Sequence, residues 1–190
     1  MSTDVTRDFA FGLPKAELHL HLEGTLEPDL KLALARKNGV DIGQSTVEEV
    51  RATYQFNDLT SFLAVYYPAM DVLQNEDDFH DLAAAYFERA RANGVVRAER
   101  FFDPQAHTSR GIAIETVIRG YYRAVVEARE AGLSADLILC FLRDMSAESA
   151  LETLQAALPY KDMFIGGGLD SDERDNPPTK FARVFELACT

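Results

Sequence analysis

Two histidines one residue apart, His19 and His21, are the residues whose spacing most directly suggests chemistry. In an extended strand alternate residues project to one side. In 16-AELHLHLEG-24 the two imidazoles therefore project together, with Glu17 and Glu23 beside them and Leu18, Leu20 and Leu22 on the opposite face. Such a pair suits zinc, which takes histidine nitrogen at ~2.0–2.1 Å. The spacing serves structural histidines equally well, so at this point both uses stay open. His80 falls within a helix and reads as a surface residue, and His107 reads as a loop histidine after a strand rather than a ligand. Asp103, beside Pro104 at a strand end, can line a pocket or be a structural loop acid. In 166-GGGLDS-171 the glycines either admit a ligand or relieve crowding. Glu99 and Arg143 read as an internal ion pair.

The elements that must position these residues alternate in period. After the first strand come a helical stretch through Leu30, Ala33 and Leu34, stopped at Asn38-Gly39, and another through Leu59, Phe62, Leu63, Tyr66 and Met70, bent at Pro68. A long helix follows over 76–93, capped by Asn75 and ended by Asn93-Gly94. Residues 95–104, 136–143 and 163–170 read as strands. Helices follow each of them: one through Ile114, Val117, Ile118, Tyr121 and Val125, one begun at Ser146, and one opened by Asn176-Pro177 that keeps helical spacing up to Thr190. Strands alternating with helices predict a parallel sheet covered by helices, either a doubly wound sheet or a (β/α)₈ barrel. No G-x-G-x-x-G follows the first strand, which weakens the dinucleotide-binding version. A barrel typically needs roughly 250 residues and about eight strands, so the 190 residues read as one domain, the N-terminal half of a barrel with about four strand–helix units.

Composition narrows the partners. The net charge of −12, with Arg and Lys dispersed among acids, argues against a nucleic acid, which is bound by clustered cations. A neutral small molecule remains compatible. No apolar run approaches the ~20 residues of a membrane span, residues 1–11 hold no apolar signal core, and two cysteines read as reduced thiols, so the expectation is a cytoplasmic protein with no membrane partner.

The segment 13-LPKAELHLHLEGTLEP-28 resembles the opening signature of the adenosine/adenine deaminase family of metal-dependent hydrolases. The likeness continues through 56-FNDLTSFLAVYYPAMDVL-73, 76-EDDFHDLAAAYFERA-90, 99-ERFFDPQAHTSRGI-112 and 168-GLDSDERDNPPTKF-181. The resemblance implies a (β/α)₈ TIM barrel with one Zn²⁺ per complete site at the C-terminal strand ends, held in part by His19 and His21. It implies a purine substrate approached by Glu23, Asp103, Gly168, Asp170 and Ser171. Glu23 stands where nucleoside deaminases carry Asp, and with 101-FFDPQAHTSRG-111 and 169-LDS-171 it points to the branch acting on free adenine, giving hypoxanthine and ammonia. The charged 172-DERDN-176 keeps adenosine and N6-substituted purines open as alternatives. The family's general-acid Glu, third His and last Asp ligand have no matching word here and are expected beyond Thr190. A non-catalytic fragment is therefore the alternative of another class.

Overall fold

The computed structural model describes residues 3–189. Four strands, β1 (Lys15–His21), β2 (Val95–Phe102), β3 (Ser134–Leu142) and β4 (Gly166–Asp170), pair in parallel in the order β1-β2-β3-β4. A doubly wound sheet reverses its strand order at a switch point, whereas strands laid down consecutively in one direction form a barrel wall. The order therefore selects the barrel, and the sheet is half of one. On β2, Ala98, Arg100 and Phe102 are buried beneath the helices, and Arg97, Glu99 and Phe101 alternate onto the inner face.

The helices form where local signals start and stop them. α1 (Thr3–Gly12) precedes the sheet. Between β1 and β2 lie α2 (Pro28–Asn38), α3 (Val47–Ala52), α4 (Leu59–Ala69) and α5 (Glu76–Ala92). α2 has Pro at its start and stops at Gly39, whose φ of 65° is a conformation open to glycine. α3 does not emerge from apolar spacing, yet Thr46 and Glu49 form a capping box that marks it. Pro68 lies in the last turn of α4, where the chain tightens into a 3₁₀ turn over Met70–Val72. Asn75 caps α5 as its sequence predicts. After β2 comes α6 (Pro104–Thr108), a short helix in place of the expected loop, then α7 (Ile114–Glu130), α8 (Ala147–Ala157) capped by Ser146, and α9 (Ala182–Ala188). Asn176-Pro177 does not open α9 directly. The Asn176 carbonyl accepts from Arg143 Nε and Nη2, its amide turns back to the Asp172 and Arg174 carbonyls, and a 3₁₀ turn over Pro178–Phe181 intervenes. Thr190 lies outside the described residues.

Two packing details position the site. α5 and α7 touch at Gly120, where a Cβ would come within 2.5 Å of the Glu76 carbonyl and 2.7 Å of Phe79 Cβ. This contact presses Phe79 edge-on against Tyr121, with ring centroids 5.3 Å apart. Both residues are fully buried beneath the sheet, and burying such a side chain contributes about 1.5–3 kcal/mol. The second detail is a bulge in β1: successive rungs pair Glu17 with Ala98 and Leu20 with Arg100, three residues against two. The extra residue inverts the alternation.

That inversion corrects one expectation. Glu17 does not share the histidine face; it accepts from buried Arg100 Nη2 at 2.8 Å and from Tyr86 Oη at 2.5 Å, on the helix side. Leu18, expected beneath the helices, is 52% exposed. The Glu99–Arg143 pair also does not form. Glu99 lies opposite Asp136 and binds Arg97 at 2.7 Å, whereas Arg143 follows the end of β3 and reaches Glu173 at 2.9 Å. At ~3.3 Å per strand residue the two are roughly 20 Å apart along the sheet.

Candidate active site and metal centre

The C-terminal ends of all four strands open onto a cavity of about 570 Å³, within the range that binds small molecules. β1 supplies His19 and His21, the end of β2 supplies Phe101 and Asp103, β3 supplies Cys140, and β4 leads in Gly168, Asp170 and Ser171. α4 forms the facing wall with Phe62, Tyr66 and Tyr67. The strand parity explains this selection: His21 is in register with Phe101 and Cys140 with Gly168, so each row points inward.

His21 is the centre of the polar group. Its Nδ1 lies 3.1 Å from Asp170 Oδ2 and 3.5 Å from Asp103 Oδ1. Donor atoms of His21, Asp103, Cys140 and Asp170 all fall within 4.8 Å of one another. Burial disfavours the imidazolium, but contact with Asp103 and Asp170 outweighs it and raises the His21 pKa to about 10. Burial first, then the neighbouring Asp170, raises Asp103 to about 7. Asp103 Oδ1 and both Asp170 oxygens are buried without a hydrogen-bond partner. Two carboxylates so placed are costly unless a cation compensates them, and His21 serves as that cation here. The same donors fit a divalent metal, which would replace the His21 proton as the compensating charge. His19 lines the same cavity outside this four-donor group, with its ring centroid 6.1 Å from that of His21. Phe101 packs against both rings, at 4.9 and 5.1 Å.

Gly168 is needed for a steric reason. A Cβ there would stand 2.8 Å from Cys140 Sγ. Burial drives the Cys140 thiol well up, the nearby carboxylates add to the effect, and it remains a neutral packing group in this state. Tyr66 donates to Asp103 Oδ2 at 3.4 Å, and its own buried phenol is held protonated. Tyr67 donates to Ser171 Oγ at 2.7 Å, where Ser171 takes a positive φ of 70° at the turn after β4. These contacts join α4 to the strand ends.

A family model described as adenosine deaminase matches residues 14–190. The chain belongs to that family. It is 55% identical over 183 residues to an adenine deaminase of Hahella chejuensis, covering 96% of this chain and 55% of the relative. The crystal structure of an adenine deaminase from Arthrobacter aurescens superposes with a TM-score of 0.90 at 52% identity, over 93% of this chain and 54% of that one. An amidohydrolase from Burkholderia ambifaria, solved with bound Zn, gives 0.82 at 29% identity over 100% of this chain and 52% of that one. The chain thus spans about half the length of the relatives it matches, and its half-barrel is the partial TIM barrel of this hydrolase family.

Within the family framework the expected residues separate into two groups. His19, His21, Asp103, Gly168, Asp170 and Ser171 line one cavity. Glu23 does not line it; its neighbour Gly24 does. Glu23 is 3% exposed, borders a smaller cavity of about 270 Å³ between α4 and the 3₁₀ turn Leu22–Thr25, and directs Oε1 to Asp103 N, Tyr121 Oη and His107 Nε2, each at 3.1 Å. His107, expected on a loop, is wholly buried in α6. His80 is on the α5 surface, bonded to Glu127 at 2.8 Å. Cys140, Phe101, Tyr66 and Tyr67 were not singled out from sequence. The inward parity of β2 and β3 could have indicated the first two; the α4 contacts, 37 and 104 residues away in sequence, carry no local signal. No helix among the described residues is long and apolar enough to cross a membrane.

Proposed function

We propose that this chain, joined to a second half-barrel as in its full-length relatives, deaminates free adenine hydrolytically to hypoxanthine and ammonia with zinc as the metal. The observation that carries the reading is the buried pair Asp103 and Asp170 beside His21, with three carboxylate oxygens lacking a hydrogen-bond partner, at the strand ends where barrel enzymes place their chemistry. His19 and His21 would hold the ion on this half of the barrel, and zinc there supplies activation of the attacking water near neutral pH.

The chain's own residues do the rest by position. Asp170 and Asp103 both face His21 Nδ1, at 3.1 and 3.5 Å, which leaves the other ring nitrogen for the metal, the carboxylate–histidine arrangement that fixes a ligand's tautomer. Gly168 lets the flat purine approach the β4 backbone, Asp170 and Ser171 stand at its edge, and Phe62 and Tyr66 cover the site from α4 and limit water. The proton for the ring nitrogen comes from a Glu of the second half-barrel, which the family resemblance implies. Chelation of the complete enzyme should abolish ammonia release from adenine and zinc should restore it. His19→Ala and His21→Ala should each lose zinc by elemental analysis. Activity that survives chelation, or full zinc in both variants, contradicts the reading.

A further inference from the structure

β1 ends at His21 and the chain turns away into the 3₁₀ segment Leu22–Thr25, while β2 runs on toward Asp103. His21 pairs with Phe101, so the next rung of the ladder would lie beside Asp103, whose amide has lost its strand partner. The Glu23 carboxylate takes that place: Oε1 accepts from Asp103 N at 3.1 Å. A side chain thus continues the ladder where the backbone cannot.

The carboxylate is itself held. Tyr121 Oη and His107 Nε2 each lie 3.1 Å from the same oxygen, and all three side chains are fully buried or nearly so. On the far side of the ring, Arg110 Nη2 lies 2.9 Å from His107 Nδ1 and also donates to the Leu73 carbonyl at 2.6 Å. A guanidinium can only donate, so Nδ1 must be the bare acceptor and the proton must sit on Nε2, facing Glu23. Phe79 packs edge-on against the ring at 4.8 Å and closes off another orientation. The imidazole is a rigid neutral connector, and no atom of it reaches the cavity.

We infer that His107, fixed by Arg110, is a positioning residue that sets Glu23 to clamp the Asp103 backbone, and thereby holds Asp103 against the metal ligand His21. This rests on the metal reading above. The lever is short: Asp103 Oδ1 stands 3.5 Å from His21 Nδ1, and releasing the Asp103 amide would let that carboxylate drift from the ring.

The test is zinc affinity of the complete enzyme, measured by chelator competition on folded protein, with the Tm of the metal-free form measured alongside. His107→Leu should weaken zinc binding about tenfold, the lower end for groups that orient metal ligands. His107→Gln, which keeps an N–H toward Glu23, should recover most of it. A merely structural role would lower the metal-free Tm and leave the zinc affinity of the folded protein within about twofold of the parent, and that result overturns the proposal. If His107→Leu does not fold, Arg110→Met, which frees the ring from the partly exposed side, decides in the same way: weakened zinc binding supports the proposal and parental affinity overturns it. His19→Ala is run in parallel, since zinc retained there is a failure of the metal reading and a distinct outcome.

Discussion

His21 Nδ1 lies between Asp170 and Asp103, at 3.1 and 3.5 Å, and this contact determines what a metal must displace. Without metal, His21 holds a proton up to a pKa of about 10, against 6.5 for a free imidazole, and Asp103 up to about 7, against 3.8 for a free carboxyl. Both folded values exceed the unfolded ones, so the fold binds more protons than the unfolded chain. The stabilisation is present in full below the unfolded values and is lost as pH rises, through about 7 for Asp103 and about 10 for His21. The chelated protein is therefore predicted to lose Tm between about pH 4 and 10 from these groups, and Asp103→Asn should flatten the part of that fall below about pH 7. A parental Tm that rises across the window contradicts this assignment. Metal binding near pH 7 should release about one proton, read from calorimetry in buffers of different ionisation enthalpy. At this scale the His-x-His pair and 168-GLDS-171 were legible, because i and i+2 parity is local. The burial of His107 was not, because its partner Glu23 is 84 residues away.

Elements decide which of those residues can meet. The strands were readable from their apolar runs and the main helices from Asn75, Ser146 and Gly39, each of which acts as a cap or stop where the spacing placed it. The β1 bulge was not readable, since it depends on how Glu17 and Leu20 register against β2, and it moved Glu17 to the helix side. Relief of crowding, one of the two uses the sequence leaves open for the glycines at 166–168, falls on one of them: Gly168 leaves no room for a Cβ beside Cys140 Sγ at 2.8 Å, whereas Gly167 would meet Phe141 at an ordinary 3.6 Å. Gly168→Ala is predicted to cost about 1–3 kcal/mol, the usual range for overpacking, and Gly167→Ala much less, both by denaturant unfolding. Cys140→Ala should relieve the Gly168→Ala defect, so the double variant should be more stable than the sum of the two single effects. Strict additivity would place the cost elsewhere. Gly120→Ala should be at least as costly as Gly168→Ala, because its Cβ meets a backbone oxygen at 2.5 Å that cannot rotate away.

The whole molecule is a half-barrel among the described residues, with β1 and β4 each paired on one side only. Parallel strands are stable when both faces and edges are covered, and among the described residues α4 covers the inner face only at the C-terminal strand ends, leaving Arg97 and Glu99 partly exposed. The barrel class was legible from the strand–helix alternation together with the family resemblance, while the choice against a doubly wound sheet needed the observed strand order. Expressed by itself, the 190-residue chain is predicted to associate or aggregate and to release no ammonia from adenine above a zinc-only control. A soluble monomer that turns over adenine contradicts that expectation. The proposed preference for free adenine is tested most directly by comparing kcat/KM for ammonia release from adenine and from adenosine with the zinc-loaded complete enzyme. A clear preference for adenine is expected; equal or faster turnover of adenosine overturns the proposed function.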